Sequence, residues 1–204
     1  MGEGRNVYLE PRERFVLRTR DVYQDELDDD VTGYSDTVLA LVANYDNGGA
    51  PGGFNAQAMV GKSKRGEVAV RLFAVMDGEA GRIERIGFKT RGCLAMTACA
   101  SMVCKMVEGR TFAEALAVTA EDVRHAVDGV PWDKAHTPVF AAECVRALVG
   151  DWLVREGATL ASLDEQLPCD QDSLDCILCE HCSLRDGRVE LLVAEVTGAE
   201  GALG

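Results

Sequence analysis

The chain has 204 residues, 47% of them hydrophobic and 27% charged, a globular balance that excludes fibrous and wholly disordered classes. A net charge of −13 and a pI near 4.6 set it against phosphate backbones and anionic bilayers, so neither nucleic acid nor a membrane is expected as a partner. Residues 1–15 lack the apolar core of a secretory signal, and no stretch is long enough to span a bilayer, so the expected location is cytoplasmic. In that reducing setting the eight cysteines are expected to be metal ligands, reactive thiols or core residues rather than disulfides.

Residues 1–32 form an N-terminal extension that closes on the acidic run DELDDD at 25–30, read as a solvated linker. Ser35 is positioned to cap a helix over 36–44, which stops at the Gly- and Pro-rich DNGGAPGG. From Glu67 the pattern has period two, and EVAVRLFAVMD, a turn at Asp77-Gly78, and GRIERIGFKT predict an antiparallel hairpin. A helix is expected just after Gly92, where LAMTACASMVCKMV carries apolar residues at helical spacing. Thr111 with Glu114 has the signature of a capping box, and Thr119 with Asp122 that of a second. Thr137-Pro138 predicts a further helix start, with Thr137 as its cap and the helix running to Gly157. Residues 158–168 are read as a connector, and RVELLVAEV near the end as a strand. This order of elements predicts an α+β fold, a small antiparallel sheet with helices packed on it, followed by a short C-terminal extension.

That extension holds Cys169, Cys176, Cys179 and Cys182 in PCDQDSLDCILCEHC. Thiolates this close repel one another unless a cation neutralises them, and two-residue gaps let a loop aim neighbouring sulfurs at one centre. The consecutive C-x2-C-x2-C triplet with one separated cysteine fits an iron–sulfur cluster, a four-iron cube among them, and a tetrahedral zinc site is the alternative. His181 lies inside the loop and could replace one of the cysteines.

Three stretches carry a resemblance to a known family: VGKSKRGEVAVRLFAV, GRIERIGFKTRGCLAMTACASMVCKMVEGRTFAEAL and AHTPVFAAECVRALVGDWL. Together with YSDTVL they resemble the U-type scaffolds of iron–sulfur cluster assembly (IscU, the NifU N-terminal domain, SufU). The resemblance implies a scaffold-like domain over about 33–157 and a four-cysteine tail over 158–204 that is additional to it. It also implies a cysteine desulfurase and cluster-acceptor proteins as partners. No paired acid/base motif, nucleophile elbow or phosphate-cradling glycine loop appears, so an enzyme turning over a small substrate is not expected.

Matched position by position, the family's site falls on Glu67, Cys93 and His136. Glu67 keeps a carboxylate where the family has aspartate. Arg65 stands where the family has its first cysteine, and Thr137 where it has its third. The family's chaperone motif is echoed by Val130, Pro131 and Lys134. Cys93 follows Gly92 at a predicted helix start, where backbone N–H groups favour thiolate. Arg65, with Lys62 and Lys64, could support that thiolate or dock an acidic partner. Cys104 lies about 16 Å along the same helix, too far to share a site, and it is read with Cys99 and Cys144 as core. The rival readings are an adaptor with a structural zinc tail, a redox protein using a tail cluster, and a zinc-dependent sulfur acceptor at Cys93.

Overall fold

A computed structural model describes residues 33–63, 66–169 and 181–198. The acidic run at 25–30, Lys64, Arg65, Cys176 and Cys179 lie outside the described residues. Helix α1 (Asp36–Ala43) leads to β1 (Ala56–Lys62), β2 (Val68–Asp77) and β3 (Arg82–Thr90). The helices α2 (Leu94–Val107), α3 (Phe112–Leu116), α4 (Ala120–Ala126), α5 (His136–Arg155), α6 (Leu160–Gln166) and α7 (Ser183–Thr197) follow. The class is α+β, as expected.

The three strands pair antiparallel in the order β1-β2-β3. One row runs Val60, Val70, Thr90 across the sheet, and the next internal row runs Ala58, Leu72, Phe88. These side chains are buried, and α5 covers them from β1 to β2 while α2 covers β3. On the opposite face Phe73 meets Phe54 edge-on at 5.3 Å, and Lys89 lies 5.4 Å above the Phe73 ring. One covered and one largely solvated face is the usual condition of an antiparallel sheet.

The hairpin forms where the period-two pattern places it. Ser35 caps α1 by accepting from the Val38 N–H at 3.1 Å, and both capping boxes, Thr111 with Glu114 and Thr119 with Asp122, close reciprocally. Strand β1 carries no clear signal, because its sequence AQAMVGK is rich in small residues that blur the alternation. Its C-terminal end depends on Gly61, whose φ of 76° belongs to the left-handed region and whose missing Cβ makes room for the Phe140 ring of α5.

Three local expectations are corrected. Thr137 is not the cap of α5: the helix begins at His136, and the Thr137 hydroxyl, fully buried, donates to Lys134 O at 2.9 Å. The stretch 158–168 contains a helix, α6, capped by the Thr159 hydroxyl, which accepts from Ser162 N–H at 3.2 Å. The final apolar stretch is helical and stops at Gly198, whose left-handed φ of 66° ends α7. Its valines suggested a strand, yet they belong to an exposed helix face: Val189, Leu192, Val193 and Val196 recur at helical spacing and all face solvent.

Helix α7 and the end of α6 meet α5 at one glycine. A Cβ on Gly150 of α5 would collide with Leu184 of α7 and come within 3.3 Å of Leu167, just past α6. Leu167 and Leu184 flank the cysteine-rich segment, so its two ends are held at the same point on α5.

Candidate metal centre

The end of the sheet where β1 and β3 finish and β2 begins gathers Glu67, Cys93 and His136, the positions to which the resemblance points. Glu67 lies in the turn before β2, with its N–H donating to Ser63 Oγ at 3.2 Å. Its carboxylate forms an ion pair with Arg91, two residues before Cys93. Both partners are well exposed, and such a pair contributes about 0–1 kcal/mol, so it is no barrier to carboxylate rearrangement. Arg91 is a partner at this site that the sequence pattern gives no reason to expect.

Cys93 occupies the N-cap position of α2 and is half-buried. Gly92 donates its N–H to Thr90 Oγ1 at 2.9 Å, and Cys93 O accepts from Thr97 N–H at 3.0 Å. The thiol is thereby held at the first turn of a fourteen-residue helix, where backbone N–H groups stabilise negative charge.

His136 opens α5, its ring 5.2 Å from that of Phe140. Burial lowers its pKa, Lys134 lowers it further, and Asp133 only partly opposes them. The imidazole is therefore neutral at pH 7, the form that ligates a metal. Thr137, beside it, points inward, and its Oγ1 lies 3.6 Å from Cys99 Sγ. Burial pushes the Cys99 thiol up to about 12, the Thr137 hydroxyl partly offsets this, and Cys93 adds to it. Since the Thr137 proton is given to Lys134 O, Cys99 is the donor of the pair, as a protonated thiol must be.

Cys104 and Cys144 are fully buried, their thiols pushed up mainly by burial, and both are core. Cys144 Sγ lies 4.0 Å from Val70 O under the sheet. Among the described residues, no three His, Cys, Asp or Glu side chains converge as a ready-made metal site. Glu67, Cys93 and His136 share one end of the fold without closing on a common point.

The tail meets this same end. His181 O accepts from Gly61 N–H at 2.8 Å, and Cys182 forms an antiparallel bridge with Val60. Met59 N–H donates to Ser183 Oγ at 3.1 Å. The chain entering α7 thus adds a short fourth rung to the edge of β1. The His181 ring reaches the β1–β2 loop, with Nε2 3.2 Å from Gly66 O, next to Glu67. At the other end of the segment Cys169 is exposed. Pro168 O before it accepts from Arg146 Nη2 at 2.8 Å, and Leu167 O accepts from the buried Arg188, which also binds Asp164 at 2.7 Å.

Residues 33–159 match the family described as the NifU-like N terminal domain. The chain belongs to this family. The NifU-like match covers well over half the chain and ends before the first tail cysteine. The iron–sulfur cluster assembly scaffold protein IscU 1 of Archaeoglobus fulgidus is 34% identical over 124 residues, covering 61% of this chain and 79% of that protein. The nitrogen fixation protein NifU of a Nostoc species is 30% identical over 175 residues, covering 82% of this chain and 55% of that protein. This NifU-like chain therefore spans about half the length of the Nostoc protein. Among solved structures, the N-terminal part of a NifU-like protein from Brucella abortus covers 61% of this chain and 95% of its own, at 17% identity and a TM-score of 0.48.

Proposed function

We propose that this NifU-like chain works in the assembly or transfer of iron–sulfur clusters, as a scaffold-like protein and not as an enzyme. Its partners on this reading are a cysteine desulfurase and cluster acceptors, met in the cytoplasm. Support comes first from the family match, and from the position of Cys93 at a helix start beside Glu67 and the neutral His136. These three groups suit one iron or zinc ion, since thiolate, imidazole and carboxylate together neutralise and orient a divalent cation.

The robust centre on this reading is the tail. The observation that carries it is the pinning of Leu167 and Leu184 at Gly150, which draws together the two ends of the segment from Cys169 to Cys182. A closed loop costs a metal less ordering entropy than an open one. The donor set fits an iron–sulfur cluster, with zinc as the alternative occupant.

Oxygen-free purification followed by visible absorption and iron, sulfide and zinc analysis tests the reading on wild type, Cys93→Ser and Cys179→Ser. Cluster absorption and acid-labile sulfide are expected in wild type and Cys93→Ser, and absent from Cys179→Ser. A colourless wild type with one zinc per chain would replace the cluster reading with that of an adaptor. A metal-free, fully folded wild type, unaffected by chelators, would remove the tail centre altogether.

A further inference from the structure

Six large hydrophobic side chains are exposed among the described residues, and four of them lie on one helix: Val189, Leu192, Val193 and Val196 of α7. At 3.6 residues per turn they fall within about 100° of arc and extend for about 10 Å along the axis. The side on which α7 packs carries Leu184 and Arg188, about a third of a turn away, so the stripe is not what seats the helix. Single exposed apolar residues are ordinary, but a contiguous stripe at helical spacing marks a surface for a partner.

The border of the stripe is acidic. Asp186 and Glu190 run along the side away from Leu184, both exposed, and neither carboxylate has a hydrogen-bond or ion-pair partner among the described residues. Four residues apart on a helix, their like charges repel. The same two residues line a cavity of about 350 Å³ between α7, α5 and β1. Asp151 and Arg155 in that cavity pair with each other at 2.8 Å, which leaves one cation, Arg71, for the two carboxylates. The apolar stripe therefore adjoins a cavity with unneutralised negative charge.

We propose that this surface docks a basic amphipathic helix of another protein. Its apolar residues, at i, i+3, i+4 and i+7, lie against Val189, Leu192, Val193 and Val196, and a Lys or Arg beside them reaches the cavity at Asp186 and Glu190. Charge decides among the occupants. A second copy brings the same carboxylates and a net charge of −13 to the contact. An anionic bilayer is repelled by the same border, since helices that lie on such membranes carry Lys and Arg there. A cationic helix gains from both halves of the surface, by covering the stripe and by neutralising two carboxylates that otherwise repel. The NifU-like match ends at residue 159, before α7, so this surface is additional to the matched domain. The inference does not depend on a metal in the tail.

Fluorescence anisotropy of a labelled amphipathic peptide against the full-length chain tests this. The probe is a synthetic helix of about 18 residues with leucine at i, i+3, i+4 and i+7 and lysine along both borders, and its counterpart carries glutamate for lysine. The lysine peptide is expected to bind at least about tenfold more tightly than the glutamate peptide, and less tightly as salt is added. Val193→Asp should weaken binding at least about tenfold, because the peptide then buries a charge. Val196→Asp, at the most exposed position of the stripe, repeats the test where the packing of α7 is untouched. Glu190→Lys should reduce the preference for the lysine peptide at least about threefold. No binding by either peptide, equal binding of both, or binding unmoved by the two aspartate variants overturns the proposal. Sedimentation showing a wild-type dimer that Val193→Asp makes monomeric also overturns it, and assigns the face to a second copy.

Discussion

At the scale of single residues, the six described cysteines divide by environment. Cys99, Cys104 and Cys144 are buried, and desolvation holds each thiol protonated, Cys99 up to about 12. Cys169 is exposed, and Cys93 and Cys182 are partly so. Thiolate is the reactive species, so iodoacetamide at pH 8 on the metal-free native chain should label Cys169 first, then Cys93 and Cys182, and leave the buried three intact until unfolding. Peptide mass spectrometry reads this directly. Rapid labelling of Cys99 would show that the Thr137 contact does not hold in solution. This division also shows why Thr137 is no simple relic of a lost ligand. Its side chain is fully committed inward, to Lys134 O and Cys99, and a thiol at that position would begin from a buried orientation.

At the scale of elements, the sheet edge is shaped by Gly61. Any side chain there meets two penalties: a left-handed φ, costing about 1–2 kcal/mol, and the Phe140 ring in the space a Cβ needs. Overpacking adds about 1–3 kcal/mol. Gly61→Ala is therefore expected to lower stability by about 2–4 kcal/mol in denaturant unfolding, well beyond the roughly 1 kcal/mol of Ser35→Ala at a helix cap. An effect under about 1 kcal/mol would mean that β1 can shift away from α5. The caps and the hairpin were legible in the sequence because their partners lie within a few residues: Thr111 with Glu114, Thr119 with Asp122, Asp77 with Arg82. Strand β1 and the helical nature of α7 were not. Ala and Gly hide the alternation of β1, and α7 buries chiefly Leu184 and Arg188, so its apolar residues do not mark its packed side. The site was readable in the same partial way. Glu67, Cys93 and His136 follow from resemblance, whereas Arg91 on Glu67 and His181 on Gly66 join positions 24 and 115 residues apart, which no local pattern encodes.

At the scale of the whole molecule, the question is whether the tail is an appendage or part of the scaffold end of the fold. Glycine inside a helix costs about 1 kcal/mol relative to alanine, yet Gly150 lies within α5, and its surroundings show what it gains. Leu184 and Leu167 occupy the space a side chain would fill, and through them α7 and the end of α6 rest on the long central helix. Gly150→Val would expel both leucines. The atoms nearest a Gly150 Cβ belong to Leu184 and Leu167 alone, so the loss should be local. Hydrogen exchange followed by mass spectrometry is expected to show faster exchange at Met59 and Gly61, whose N–H groups are held by Ser183 Oγ and His181 O, and along α7. Amides of β2 and β3, paired to each other, should keep wild-type protection. In the same variant, metal affinity of the tail should fall about tenfold or more, because the two ends of the cysteine segment are no longer brought together before the ion arrives. Uniformly faster exchange across the sheet would show that the tail's seat is inseparable from the core. Unchanged exchange at Gly61 would show that the β1 rung, and not Gly150, is what holds the tail in place.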